Sequence, residues 1–351
     1  MLNCNPVTGQ KGECFAVGRG AVGIFLALKE IKKKTGKVLV PANICYAAIF
    51  PIICAGYNPV FCDVDRYSGN VTLDTIKKVI DCEIIAVIVP HMYGNPVKEL
   101  LEIAEYLKKN NIMLLEDCAA LMVNDGSEYI PGTVGDYVVY STGYSKTIDI
   151  GFGGLLFSSK HTLKEAEKRE ISLPPFDNSF EKDYLLFSKI YRLLRNEKHK
   201  SNLTNDFYMS LQKSFKDDFI YSIDDIKKDK IFLSINNLDN IIKKRRMQYL
   251  MYKDCFENAK YAIYPYDKYA VPWRFNLYVY KDKKRFIEYC LEKKLPISDW
   301  YPCIADMFGD YKIYENALWH ETHIVNFPLM IADDKVNEIC KIVAKYDGEL
   351  K

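Results

Sequence analysis

Apolar positions in the first 160 residues switch between two spacings. Residues 21–31 carry Val22, Phe25, Leu26 and Leu28 at helical intervals before a lysine run, which predicts a helix. Val38-Leu39-Val40 is a short apolar run stopped by Pro41, and it predicts a strand. Residues 44–55 predict a buried helix closed by Gly56. Residues 59–62 predict a strand that ends at Asp63 and Asp65, 73–80 a helix, and the β-branched run 84–89 a further strand. Residues 97–108 predict an amphipathic helix with Leu100, Leu101, Ala104 and Leu107 on one side. Residues 113–115, 137–140 and 155–158 complete the strands. Strands separated by helices predict a largely parallel sheet covered on both faces. Ligands of such sheets bind beyond the strand C-termini, where Asp63, His91 and Asp117 fall.

The pattern changes after residue 160. Residues 161–230 are rich in Lys, Asp and Asn and contain no glycine. Within them 184–195 predicts a helix with Leu185, Leu186, Ile190 and Leu193 as its apolar positions, and 199–202 predicts a loop. Residues 231–252 predict one long helix, with the basic run Lys243-Lys244-Arg245-Arg246 as a solvated face. From about Tyr261 a smaller α/β unit begins, with strands at 275–280 and 295–297 and helices at 283–293 and 336–346. The expected organisation is a large domain over 1–245, with 161–230 as a divergent, mostly helical region, and a small C-terminal domain over 246–351.

Composition narrows the partners. The chain has 351 residues, 49% of them hydrophobic, enough for a substantial core. Lys+Arg is 48 and Asp+Glu 46, a net charge of +2 that gives no reason to expect nucleic-acid binding. No apolar stretch reaches membrane-spanning length, and the N-terminus lacks a basic-then-apolar secretory pattern. The 11 cysteines are scattered, many inside apolar runs (Cys54, Cys62, Cys82, Cys290, Cys340). They predict reduced, buried thiols in a cytoplasmic protein. The five histidines offer only His320 and His323 at close spacing, read as an exposed helix-turn pair, so no metal site is expected.

Two segments carry chemistry. The apolar run 112–115 ends in Glu116-Asp117-Cys118-Ala119-Ala120, and Tyr140-Ser141-Thr142-Gly143-Tyr144-Ser145-Lys146 leads into Gly151-Phe152-Gly153-Gly154. A carboxylate ending a buried strand can hold a pyridinium nitrogen protonated, and a lysine on a following loop can bind an aldehyde. That pair is what pyridoxal phosphate (PLP) chemistry requires.

Several further segments appear in order: Gly18-Arg19-Gly20-Ala21-Val22-Gly23-Ile24, Val40-Pro41-Ala42, the run from Gly56 to Asp65, and Pro90-His91-Met92-Tyr93-Gly94-Asn95-Pro96. Asn237-Leu238-Asp239 with Lys244-Arg245-Arg246, Trp300-Tyr301-Pro302 and Asn326-Phe327-Pro328-Leu329 follow. With the Asp117 and Lys146 segments, their order and spacing resemble the DegT/DnrJ/EryC1/StrS family of PLP-dependent sugar aminotransferases, from about Gly18 to the C-terminus. The resemblance implies the aspartate-aminotransferase-like α/β architecture of PLP fold type I, a large mostly parallel sheet domain plus a smaller C-terminal α/β domain. It implies a PLP cofactor, an amino donor expected to be glutamate, and a nucleotide-linked keto-sugar acceptor for surface polysaccharide or related glycan synthesis. A homodimer is implied as well.

The residue roles come from the same resemblance. Lys146 falls on the family's Schiff-base lysine, Asp117 on the partner of the pyridine nitrogen, and Ser141 on a serine that bonds the cofactor phosphate. Gly20, Ala21 and Val22 open a helix whose free N–H groups and dipole suit a dianionic phosphate. His91, Tyr93 and Arg274 are the substrate candidates, Arg274 for a carboxylate or phosphate gripped bidentately.

Departures are visible too. Ala21 replaces a common threonine, Ala120 a glutamine near the phenolic oxygen, and Cys45 the aromatic that stacks on the ring, with Tyr46 as its alternative. The phosphate motif normally lent by a neighbouring subunit has only 218–222 as its nearest match. These departures leave open a non-catalytic homologue or another PLP specialisation, a lyase or dehydratase. The family's dehydratases carry histidine in place of the lysine, and Lys146 speaks against that.

Overall fold

The computed structural model describes residues 1–197, 210, 214–258 and 262–346. In chain order, β1 (Leu2–Cys4) and β2 (Lys11–Val17) lead to α1 (Gly20–Lys29), β3 (Lys37–Pro41), α2 (Phe50–Ala55) and β4 (Asn58–Cys62). Then come α3 (Leu73–Lys77), β5 (Ile84–Pro90), α4 (Leu100–Lys109), β6 (Met113–Asp117), β7 (Tyr137–Ser141) and β8 (Gly154–Ser158). Four helices follow: α5 (Lys164–Ile171), α6 (Asn178–Glu197), α7 (Asp225–Ile235) and α8 (Leu238–Asn258). The C-terminal part holds β9 (Ala262–Ile263), β10 (Phe275–Tyr278), α9 (Lys283–Glu292), α10 (Glu315–His323), β11 (Ile324–Phe327) and α11 (Asp333–Val343).

The large sheet is 8-stranded, in the order β1-β2-β8-β7-β6-β5-β3-β4. Pairing is parallel from β4 across to β7 and antiparallel at β8, β2 and β1. β5 reads Ile-Ile-Ala-Val-Ile-Val-Pro and is buried along its whole length. Helices cover both faces of such a strand, so its pattern does not alternate. α1 lies close against the sheet because Gly23 has no side chain. A Cβ there would stand 3.2 Å from the Val139 methyls. From β3 the chain passes to β4 on one side and returns to β5 on the other. The loops after β3 and β5 therefore part, and a crevice opens between them.

A 3-stranded antiparallel sheet, β11-β10-β9, organises the C-terminal part. Its core joins Tyr252 and Phe256 of α8, Phe275 and Phe327 of the sheet, and Val336 and Ile339 of α11. This part is tied to the large sheet by named bonds. The Asp63 carboxylate accepts the Asn316 and Ala317 amides of α10 at 3.1 and 3.0 Å. Tyr278 donates its hydroxyl to the Tyr67 carbonyl at 2.9 Å, and Tyr264 does the same to Ser68. No helix among the described residues is long and apolar enough to cross a membrane.

Several elements differ from the pattern-based expectation. Residues 44–55 divide into a 3-10 turn at Tyr46–Ala48 and the short α2, because Pro51 fits only the first turn of a helix. α4 buries Leu100, Ile103 and Leu107 and leaves Leu101 exposed. Residues 231–252 form parts of two helices that meet at Asn236 and Asn237. Residues 295–297 form no strand, and only the Ser298–Asn326 bridge is found beside them. The inward face of α6 is Phe187 and Tyr191, while Leu185, Leu186 and Leu193 are exposed. Aromatic partners decide that face: Phe187 meets Phe50 and Tyr46, each at 5.1 Å between centroids. Cys82 is exposed and Cys54 half-buried, so those two thiols are not interior ones. His320 is fully buried rather than part of an exposed pair. The 199–202 run lies outside the described residues.

Candidate active site

A cavity of about 850 Å³ opens where β3, β5, β6 and β7 end. Its lining brings together Gly20 and Ala21 of α1, Cys45 and Tyr46 after β3, His91 after β5, Asp117 and Ala120 at β6, Ser141 at β7, Lys146, and Arg274 before β10. The two groups that the sequence set apart, Asp117 and Lys146, thus share one cavity.

Successive residues on a strand point to opposite faces, so the neighbouring carboxylates of β6 part company. Asp117 turns to the cavity, and its Oδ1 accepts the Ala119 amide at 2.8 Å. Burial pushes its carboxyl above the usual range, opposed by that amide and by the positive charge of Lys146. A cation placed beside it would relieve the burial cost. Glu116 takes the other side. It accepts the Gly132, Val134 and Gly135 amides at 2.6, 3.0 and 2.9 Å and the His91 ring at 3.0 Å. Burial works against its charge, but His91 and the Gly132 and Gly135 amides hold its carboxyl below the usual range.

His91 lines the cavity, yet both of its nitrogens are engaged. Nδ1 accepts the Val97 amide at 3.1 Å, so the ring proton sits on Nε2 and goes to Glu116. His91, Glu116 and Cys118 also form a buried group whose ligating atoms lie within 4.8 Å of one another. The hydrogen bonds to Glu116 account for that clustering. Tyr93 is not among the lining residues. It is fully buried, and its hydroxyl accepts the Tyr301 amide at 3.4 Å, so the side chain expected to meet the substrate does not face the cavity.

The start of α1 has no side-chain cap. The Val22 amide is taken by the Arg19 carbonyl at 3.0 Å, so it is not one of the anion donors expected there. Ser141 lies against this turn, and a Cβ on Gly20 would stand 3.2 Å from the Ser141 Cβ. The missing side chain keeps the helix end open toward that hydroxyl.

Cys45 brings no ring to the cavity. Tyr46 is packed against Tyr191 at 4.5 Å and Phe187 at 5.1 Å between centroids, and its hydroxyl meets Ser188 at 3.1 Å. Tyr46 is thereby part of the aromatic core. Within 218–222, Phe219 is a core residue and Tyr221 lines the cavity of its own chain.

Arg274 packs its guanidinium 4.8 Å over the Trp273 ring and donates to Ser145 Oγ at 3.2 Å. Its Nε is buried without a hydrogen-bond partner, and burial lowers its pKa. Among the described residues the charged side chains of the lining are Arg19, Lys146, Lys227, Arg274 and Asp117, and of these Lys227 is paired with Asp224 at 2.6 Å. This excess of positive charge suits anionic ligands.

Pattern reading missed Glu116, Arg245, and the contribution of α6, whose Leu185, Ser188 and Tyr191 line the cavity. A doubled acid at the end of a buried strand was the available signal for Glu116. Arg245 stands in a basic run that carries part of the resemblance, and nothing local marks the contribution of α6.

A model of the DegT/DnrJ/EryC1/StrS aminotransferase family matches residues 7–344. The chain is 32% identical over 151 residues to the GDP-perosamine synthase of Escherichia coli O157:H7, covering 42% of this chain and 40% of that protein. It is 30% identical over 151 residues to the dTDP-4-dehydro-2,3,6-trideoxy-D-glucose 4-aminotransferase of Saccharopolyspora spinosa, covering 43% and 39%. These matches thus span about two fifths of either relative. The fold is similar to that of the E. coli GDP-4-keto-6-deoxy-D-mannose-3-dehydratase with bound hydrated PLP. The TM-score is 0.69 at 18% identity, over 95% of this chain and 88% of that one.

Proposed function

The chain belongs to the DegT/DnrJ/EryC1/StrS aminotransferase family, and from that premise we propose that it is a PLP-dependent aminotransferase. It moves an amino group from an amino acid, glutamate, to a nucleotide-linked keto-sugar used in surface glycan synthesis. The observation that carries this reading is the meeting of Asp117 and Lys146 in one cavity rich in positive charge.

The residues present fit the cofactor. Asp117 is a buried carboxylate that gains from a cationic ring nitrogen beside it. The uncapped start of α1 with Ser141 makes a cradle for a phosphate. Lys146 offers the amine that holds the aldehyde. Bound there, PLP supplies a carbonyl that takes up amines and a protonated ring that withdraws electrons.

The chain's own groups do the rest. Lys146 Nζ would take the proton from the donor α-carbon and deliver it to the cofactor C4′ carbon within the same half-reaction, and would carry a proton in the reverse sense toward the sugar carbon in the second. Asp117 keeps its negative charge against the ring nitrogen throughout. Arg274 grips the donor carboxylate with its free donors. The GDP- and dTDP-sugar enzymes among the relatives support a nucleotide-linked acceptor.

The test is spectroscopic, then chemical. Purified protein given PLP should show a visible absorption band that borohydride fixes to the chain and that Lys146→Ala lacks. Labelled glutamate should then pass its nitrogen to one member of a panel of nucleotide-linked keto-sugars. A wild-type protein that gains no band with added PLP overturns the reading.

A further inference from the structure

Arg245 lies in a basic run, yet only 4% of its surface is exposed. Its guanidinium is bonded to main-chain carbonyls. Nη2 donates to the Lys146 carbonyl at 2.6 Å and to Thr147 at 3.2 Å, and Nε also reaches Thr147 at 3.3 Å. Nη1 turns the other way, to the Trp273 carbonyl at 2.8 Å and Pro272 at 3.3 Å. Burial pushes its pKa down to about 10, with the nearby Arg274 charge acting in the same direction. A buried guanidinium held by carbonyls alone is a costly way to fill space, and an apolar side chain of similar volume is often as stable or more so. What only a planar fork supplies is a fixed distance between two stretches of backbone.

Those stretches are the functional ones. One carries Lys146 and the other leads into Arg274. Two more bonds close the triangle: Trp273 Nε1 donates to the Ser145 carbonyl, and Arg274 Nη2 donates to Ser145 Oγ at 3.2 Å. Ser145 itself has φ +60°, a left-handed backbone that a serine holds only under constraint from its surroundings. The backbone beside Lys146 is thus kept in an unfavourable shape by grips that meet at Arg245 and Trp273.

We propose that Arg245 is a positioning residue that sets the spacing between the Lys146 amine and the Arg274 guanidinium. The inference rests on the aminotransferase reading above. The donor's α-carbon and its carboxylate are bonded neighbours, so the amine that takes the proton and the cation that grips the carboxylate must keep a fixed separation. A misplacement of about 1 Å costs about 100-fold in rate. Arg245 touches neither the donor nor the cofactor and acts only through the two segments it joins.

The test compares wild type with Arg245→Lys, which keeps the charge and loses the fork. In the cofactor-free chain, amide hydrogen exchange over 143–149 should rise by about tenfold or more, with the two sheets unaffected. With PLP bound, the kcat of the glutamate half-reaction should fall about 100-fold, with KM changed far less. Exchange that rises uniformly, or local exchange and kcat that both match wild type, overturns the proposal. If Arg245→Lys does not fold, Trp273→Phe decides. It deletes the indole bond to Ser145 and should raise exchange in the same seven-residue window, and no change there overturns the proposal. A wild type without a visible band would remove the aminotransferase reading. The exchange comparison needs no cofactor, and exchange confined to 143–149 would still establish the grip of Arg245 on that loop.

Discussion

His91 donates its Nε2 proton to Glu116 Oε1 at 3.0 Å, with neither side chain exposed to solvent. The Val97 amide occupies the other ring nitrogen, so both nitrogens of His91 are engaged within the protein. Glu116→Ala would leave that ring and three backbone amides without their acceptor. The expected cost is about 4 kcal/mol, read from urea unfolding of the cofactor-free chain.

Asp117→Asn keeps the size of the side chain and removes its charge. Fold and melting temperature should stay close to wild type, because among the described residues only the Ala119 amide is bonded to that carboxylate. Amine transfer should drop about 100-fold or more, since a neutral amide does not hold the ring nitrogen protonated. Stopped-flow absorbance with glutamate separates this loss from weaker cofactor binding.

Among the described residues no carboxylate is bonded to Arg274, a partly buried cation, and its Nε has no partner. Arg274→Leu should therefore stabilise the cofactor-free chain by about 1 kcal/mol. The same change should raise the KM for glutamate about tenfold or more, because the grip on the carboxylate is lost. A calorimetric scan and donor kinetics check the two halves of this trade.

His320 donates Nε2–H to the Asp65 carbonyl at 3.2 Å, and its Nδ1 is buried with no partner. Burial lowers its pKa to about 4 from the ordinary 6.5. Between those values the unfolded chain holds the extra proton and the folded chain does not, so stability rises with pH there. This group should remove on the order of 3 kcal/mol as pH falls from 6.5 to 4. Unfolding curves of wild type and His320→Gln, which has no such titration, should converge in pH dependence above pH 7 and separate below 6.

The parts of the site that could be read in advance are those with a local signature. Asp117 ends a buried apolar strand, and Lys146 sits between small residues ahead of a Gly-rich turn. Gly20 and Ala21 open an apolar helix. What escaped was decided by contacts far along the chain. Tyr93 sits in a conspicuous strand-end motif, yet the Tyr301 amide, 208 positions away, takes its hydroxyl inward. Arg245 reads as one of four solvated cations until carbonyls 98 and 28 positions distant surround it. The inward face of α6 follows the aromatic rings of α2 and Phe219, which no helical periodicity records. Periodicity assigns a helix, and tertiary partners choose its face.

The Asp63 cap on α10 joins residues 253 and 254 positions apart. The residue before that helix, Tyr314, offers no side-chain cap of its own. A fragment beginning after α8 would therefore carry α10 with its leading amides bare, and the fragment before it would carry a carboxylate with nothing to receive. Expressed alone, neither half should hold its shape, whereas the two made together in one cell should find each other and restore the cavity that residues of both line.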